Sequence, residues 1–103
     1  VLLTHDHWDH LDGPTLARLA ARFAPRVVAP LGNDAVVRRY VPALAVETLD
    51  WGGLARLSDR VAVHCEPALH WSGRGLADRR MALWGSFVVT DALGGVLYHV
   101  GDT

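Results

Sequence analysis

Near the start of this chain, in Thr4-His5-Asp6-His7-Trp8-Asp9-His10, four side chains that can donate to a metal ion stand within six positions: His5, His7, Asp9 and His10. Imidazole nitrogen and carboxylate oxygen are donors that divalent zinc takes readily, at about 2.0–2.2 Å. In an extended stretch His5, His7 and Asp9 share one parity and point the same way. A turn near Asp9 swings His10 round to join them. A loop built like this can hold two cations, with His5 and His7 on one and Asp9 and His10 on the other. Two ions about 3.5–4 Å apart activate a bridging water and stabilise charge on the group it attacks. The competing reading is a polar loop whose histidines only solvate a turn. Four specified positions of these types coincide by chance on the order of once per million placements, so metal binding is the stronger reading.

The elements that must position these residues follow from patterning. Val1 to Thr4 reads as a short buried strand feeding a polar loop, Thr4 to Asp12. Asp12 is an N-cap with Pro14 near the first helical position, and Leu16, Leu19, Ala20 and Phe23 recur at helical spacing up to Pro25. Arg26 to Ala29 is a second short strand. Asn33 caps a short helix carrying Val36, Val37 and Tyr40, ended by Pro42. Val46 to Leu49 is a strand and Gly52-Gly53 a turn. Val61, Val63 and Cys65 alternate with Ala62, His64 and Glu66 at period two. Two last strands, Ala82 to Thr90 and Val96 to Val100, are joined by a hairpin at Leu93-Gly94-Gly95. Helices and strands alternate early and strands alone follow, which suits an α/β sandwich better than a doubly wound sheet.

Two further residues belong with the cluster. The apolar run Val96 to Val100 ends in Gly101-Asp102, which delivers a carboxylate at a strand terminus, where functional loops gather. His70 follows the strand that holds Cys65; alone it would read as a loop histidine, but one ion still lacks a third ligand. His64 and His99 lie inside strand patterns and are read as ordinary strand histidines. Asp6 has the wrong parity for the ions and is expected to orient the loop or an imidazole. Cys65 reads as a small buried apolar residue. Trp8, Trp51, Trp71 and Trp84 read as packing groups, with Trp71, beside a ligand, the best candidate for a substrate platform. Arg74 and Asp78 are read as a pair across the loop after His70, or as two solvated groups.

The run His5-x-His7-x-Asp9-His10 resembles the H-x-H-x-D-H motif of the metallo-β-lactamase superfamily. More narrowly, the chain is similar to the N-acylphosphatidylethanolamine-hydrolysing phospholipase D family and its bacterial relatives. That likeness runs through Asp9-His10-Leu11-Asp12, Val28-Ala29-Pro30-Leu31-Gly32, Leu49-Asp50-Trp51, Pro67-Ala68-Leu69-His70-Trp71-Ser72, Arg74, Asp78, Leu83-Trp84-Gly85-Ser86-Phe87 and Gly101-Asp102-Thr103. The resemblance implies a partial αββα sandwich. It implies His5, His7 and His70 on one metal, Asp9 and His10 on the other, Asp102 bridging both, and Asp9 helping to orient the nucleophile or pass a proton. It also implies one more histidine, C-terminal to the bridging aspartate, for which no position up to Thr103 matches. Relatives carry Asn just before the Leu-Trp segment, where this chain has Arg80. The expected activity is hydrolysis by a hydroxide held between two divalent ions, zinc first, with manganese and iron as alternatives. The substrate is a small molecule or phospholipid, with a phosphodiester favoured. A lactone or other acyl substrate is the alternative in the same fold, and a catalytically inactive metal-binding module the alternative outside catalysis.

Bulk composition is compatible with this reading. The 103 residues open on Val and stop shortly after an apolar run, so residues 1–103 are expected to be an interior piece of one larger domain. A net charge of −1 excludes the electrostatic footprint of a nucleic-acid binder. Hydrophobic content of 50% belongs to a packed chain, not a disordered one. No apolar stretch approaches the ~20 residues that span a bilayer. One cysteine rules out an internal disulfide framework and suits a reducing compartment. The expectation is a cytoplasmic protein with peripheral membrane contact if the substrate is a phospholipid. The sequence carries no signal of oligomeric state.

Overall fold

Asp12 opens the first helix, its carboxylate accepting the Thr15 N–H at 2.9 Å while Pro14 takes a first-turn position where a missing N–H costs nothing. In the computed structural model, which describes residues 1–103, this helix is α1, Gly13–Phe23. It ends at Ala24, whose backbone is left-handed (φ 44°) and whose N–H donates to the Ala20 carbonyl. Gly13 lies against Tyr40 of the second helix, α2 (Asn33–Tyr40); a Cβ there would sit 2.2 Å from the Tyr40 ring.

Strand β1 (Val27–Pro30) runs parallel to β2 (Val46–Leu49), with α2 in the connection between them. A second sheet, antiparallel in the order β3-β4-β5-β6, is formed by Leu54–Arg56, Val61–Glu66, Ser86–Asp91 and Val96–His99. The two faces of β1 explain how the layers stack. Val27 and Ala29 pack on one side with Leu11, Leu16, Val36 and Val37 under the helices. Val28, of opposite parity, packs with Val63, Cys65 and Phe87 of the second sheet. The order is therefore helices, small parallel sheet, larger antiparallel sheet: an α/β sandwich of the kind anticipated, in part. No helix is long and apolar enough to cross a membrane.

Several element boundaries differ from the sequence expectation. Val1 to Thr4 forms no strand; Leu2 makes one bridge to Val28, with Leu3 N–H donating to the Val28 carbonyl at 3.0 Å. Helix α2 is capped by the left-handed Gly32 (φ 83°), and Asn33 is instead buried in the first turn. Its amide donates to the carbonyls of Pro30 at 2.9 Å and Leu83 at 2.8 Å, so it ties the end of β1 to the loop before β5 where a cap would serve one helix. Ala82 to Gly85 stays outside β5 because its amides go elsewhere, Leu83 N–H to Leu31 and Gly85 N–H to Thr4. β3 has no counterpart in the expectation: three residues are too few to show alternation. The hairpin between β5 and β6 forms as read, with Asp91 N–H donating to the Gly95 carbonyl at 2.8 Å and Gly94 at φ 90°.

Candidate metal centre

The N-terminal segment dives into the protein before it turns. Thr4, His5 and Asp6 are all buried. A turn then closes as His10 N–H and Leu11 N–H both donate to the His7 carbonyl, at 3.0 and 2.8 Å. Buried Leu11 anchors its far end. The turn carries Asp9 outward and brings His10 back beside His5, their ring centroids 4.2 Å apart. His70 arrives from the loop after β4, and Asp102 from the end of β6, past Gly101 at φ 65°.

These residues converge. His5 Nε2 lies 3.0 Å from His7 Nδ1, which lies 3.1 Å from His70 Nε2. One Asp102 oxygen, Oδ2, lies 3.5 Å from His70 Nε2 and 4.0 Å from His5 Nε2. Its other oxygen, Oδ1, lies 3.1 Å from His10 Nε2, which is 3.7 Å from Asp9 Oδ2. The donors thus fall into two groups, His5–His7–His70–Asp102 and Asp9–His10–Asp102, with each group's ligand atoms within 4.8 Å of one another. Asp102 is common to both.

The electrostatics favour neutral imidazoles. Burial, then the neighbouring His10, His7 and His70, pushes His5 down from 6.5 to about 4, against the opposing pull of Asp102. Burial and the nearby His70 also lower His7. Neutral rings turn lone pairs inward, and lone pairs 3 Å apart repel unless a proton or a cation lies between them. Thr4 Oγ1, buried and 3.0 Å from His5 Nδ1, can accept the Nδ1 proton and so leave Nε2 bare toward the cluster. His7 faces the cluster through Nδ1; its buried Nε2 has no hydrogen-bond partner, and Trp71 packs edge-on against its ring at 4.2 Å. Donors at about 2.0–2.1 Å on the corners of a tetrahedron stand roughly 3.4 Å apart. The separations of 3.0, 3.1, 3.5 and 4.0 Å straddle that figure, so the donor set fits a divalent cation.

The remaining sequence candidates fall elsewhere. Asp6 turns away from the cluster, and its Oδ1 accepts the Gly73 N–H at 2.7 Å, the loop-orienting role anticipated for it. Asp78 accepts the backbone N–H groups of Arg74 and Gly75, at 3.0 and 2.7 Å. The Arg74 guanidinium therefore does not pair with Asp78; it reaches back to the N-terminal loop instead. Trp51 and Trp84 are struts, their indoles donating to the carbonyls of Trp84 and Ala68. Trp8 is 63% exposed and donates to the Arg74 carbonyl. His64 and His99 lie in β4 and β6, outside both donor groups. Cys65 is fully buried. Sequence reasoning missed the part Thr4 plays and gave Arg74 the wrong partner, Asp78 in place of the Asp6 and Leu11 carbonyls; neither periodicity nor spacing announces these roles, because each acts through a partner that only folding brings near.

The model of the Beta-lactamase superfamily domain matches residues 1–103, the whole chain. This chain belongs to the metallo-β-lactamase superfamily. Among curated proteins it is 32% identical, over its full length, to 22% of a mitochondrial N-acyl-phosphatidylethanolamine-hydrolyzing phospholipase D of Saccharomyces cerevisiae. An uncharacterized protein of Mycobacterium tuberculosis is 40% identical over 84% of the chain and 23% of its own length. A metal-dependent hydrolase of Pyrobaculum calidifontis is 35% identical over the full chain and 42% of its own length. The chain therefore spans between about a fifth and two fifths of these relatives.

Proposed function

We propose that the protein is a metal-dependent hydrolase in which His5, His7 and His70 hold one divalent ion, Asp9 and His10 a second, and Asp102 both. The observation that carries this reading is the meeting of nitrogen and oxygen donors from three distant stretches of chain, with one carboxylate oriented toward each donor group. Zinc suits the donor set best, and manganese and iron accept it as well. Bound at such a site, a divalent pair lowers the pKa of water and offsets charge growing on the attacked group.

The chain's own residues then have separate tasks. The depressed basicity of His5 and His7 keeps protons from competing with the cation. Thr4, accepting from His5 Nδ1, would hold the tautomer that leaves Nε2 for the cation. Asp9 is the most exposed of the donors, its carboxylate 78% accessible, and is placed to orient an incoming nucleophile or to take its proton. Beside it an open groove of about 360 Å³, lined by His7, Trp8, Asp9, Trp71 and Arg74, gives a substrate access to the cluster.

A phosphodiester, with a phospholipid as its leading form, is the proposed substrate class. Its support is the likeness to the yeast phospholipase D and the Leu83-Trp84-Gly85-Ser86 and His70-Trp71 segments. Full-length protein should carry metal by elemental analysis and lose activity to a chelator. His7→Ala and Asp102→Ala should each lower turnover by roughly a thousandfold or more, since each removes several kcal/mol of charge stabilisation. Full activity in either variant would contradict the ligand assignment. Faster turnover of a lactone panel than of bis(p-nitrophenyl) phosphate would sink the phosphodiester reading and leave the metal centre standing.

A further inference from the structure

We infer that Arg74 is a positioning residue for the proposed metal centre, clamping the His5–His10 loop into the one conformation in which its ligands meet His70. The inference rests on the metal-centre reading. Its ground is the reach of a single guanidinium. Nη1 donates to the carbonyl of Asp6 at 2.8 Å and to that of Leu11 at 2.9 Å, so it grips both ends of the turn that carries His7, Asp9 and His10. Nη2 donates to the Tyr40 hydroxyl of α2 at 2.9 Å. The guanidinium stacks on the Trp8 ring, 3.7 Å from its centroid, and the Trp8 indole N–H donates back to the Arg74 carbonyl at 2.9 Å. One residue earlier, Gly73 N–H donates to the buried Asp6 carboxylate at 2.7 Å.

The physical need is clear. The loop from Thr4 to Asp12 contains neither helix nor strand, so the Asp6 and Leu11 carbonyls have no ladder to satisfy them. Ligand atoms must be held to within about 0.5 Å for a cage to form, which an unbraced loop does not achieve. Arg74 lies four residues beyond His70, and so fastens the two ligand-bearing segments to each other directly. A planar fork that bonds two carbonyls and a hydroxyl while stacking on an indole is something only arginine offers; a lysine has the charge without the fork.

Cobalt(II) titration of metal-free, full-length protein, followed by visible absorption, tests the inference apart from catalysis. Cobalt uptake by the unaltered protein tests the metal-centre reading itself; no uptake there overturns that reading, and this inference with it. Where the unaltered protein binds cobalt, Arg74→Ala and Arg74→Lys should each weaken binding by roughly 10–100-fold and alter the spectrum at saturation, with lysine giving no rescue. Tyr40→Phe keeps the ring against Gly13 and removes only the bond to Nη2, so the protein should stay folded and bind cobalt roughly 5-fold more weakly. Unchanged cobalt affinity and spectrum in Arg74→Lys and Tyr40→Phe would overturn the clamp. A higher KM in Arg74→Lys with cobalt binding untouched would likewise overturn it, and would make Arg74 a substrate contact instead.

Discussion

Thr4 shows how much a single hydroxyl can decide. His5 has two ring nitrogens, and only one may carry the proton if the other is to face a cation. Thr4 Oγ1, 3.0 Å from Nδ1, is placed to accept a proton carried there, which would leave Nε2 bare for a cation, and Gly101 lies so close to Thr4 that a Cβ there would fall 2.8 Å from its methyl group. Thr4→Val should therefore weaken metal binding by roughly 10–100-fold, measured by competition with a chromophoric chelator, whereas Thr4→Ser should stay near the unaltered protein. Equal affinity in Thr4→Val would show that the tautomer is set some other way. The histidines and aspartates of the first motif were legible because their types and spacing are rare together. Thr4 was not, because a threonine beside a histidine is unremarked in any sequence.

Among the elements, both helices and the strands Val46–Leu49 and Val61–Glu66 were legible, and the differences lie at helix ends and in the other strands. Asp12, Pro14 and Pro25 bracket α1 as read, yet the residue that ends it, Ala24, is left-handed without being glycine. Ala24→Gly should raise stability by about 0.5–1 kcal/mol, seen as a higher melting temperature, since the Cβ penalty disappears. Arg80 is in the same position at φ 60°, its N–H donating to the Ser72 carbonyl. Asparagine, which tolerates that region, is the residue the family resemblance places there. The strands were harder. Ala82 to Gly85 has the composition of a strand, but its amides and carbonyls serve Leu31, Thr4, Trp51 and Ser72, so no ladder can claim it. Pairing partners distant in sequence decide where a strand begins, and local composition does not report them.

The interior where the two sheets meet holds Val28, Leu49, Ala55, Val63, Cys65 and Phe87. Cys65 was expected to be a small buried apolar residue, and its complete burial agrees. Burial, with smaller contributions from Glu66 and Asp50, pushes its thiol up from 9.0 to about 11. The folded protein thus keeps a proton that the unfolded chain releases. Stability from this source is full below pH 9 and falls as the pH rises toward about 11. The thiol should resist a disulfide reagent such as dithionitrobenzoate at pH 8 until denaturant is added; rapid labelling of native protein would contradict the sheet-on-sheet core. Truncating Phe87 to Ala at the same interface should cost about 3–5 kcal/mol, measured by denaturant unfolding.

By itself, the order of residues determined that side chains able to bind a metal crowd one loop, that two amphipathic helices form, and that Val61 to Glu66 is a half-buried strand, because each of these is a property of neighbours along the chain. Only the tertiary structure brought Asp102 beside both groups of donors, let one arginine grip both ends of the His5–His10 loop, and fixed where β5 starts. Those outcomes depend on distances between groups far apart along the chain, and such distances are set by how layers pack, which no local pattern encodes.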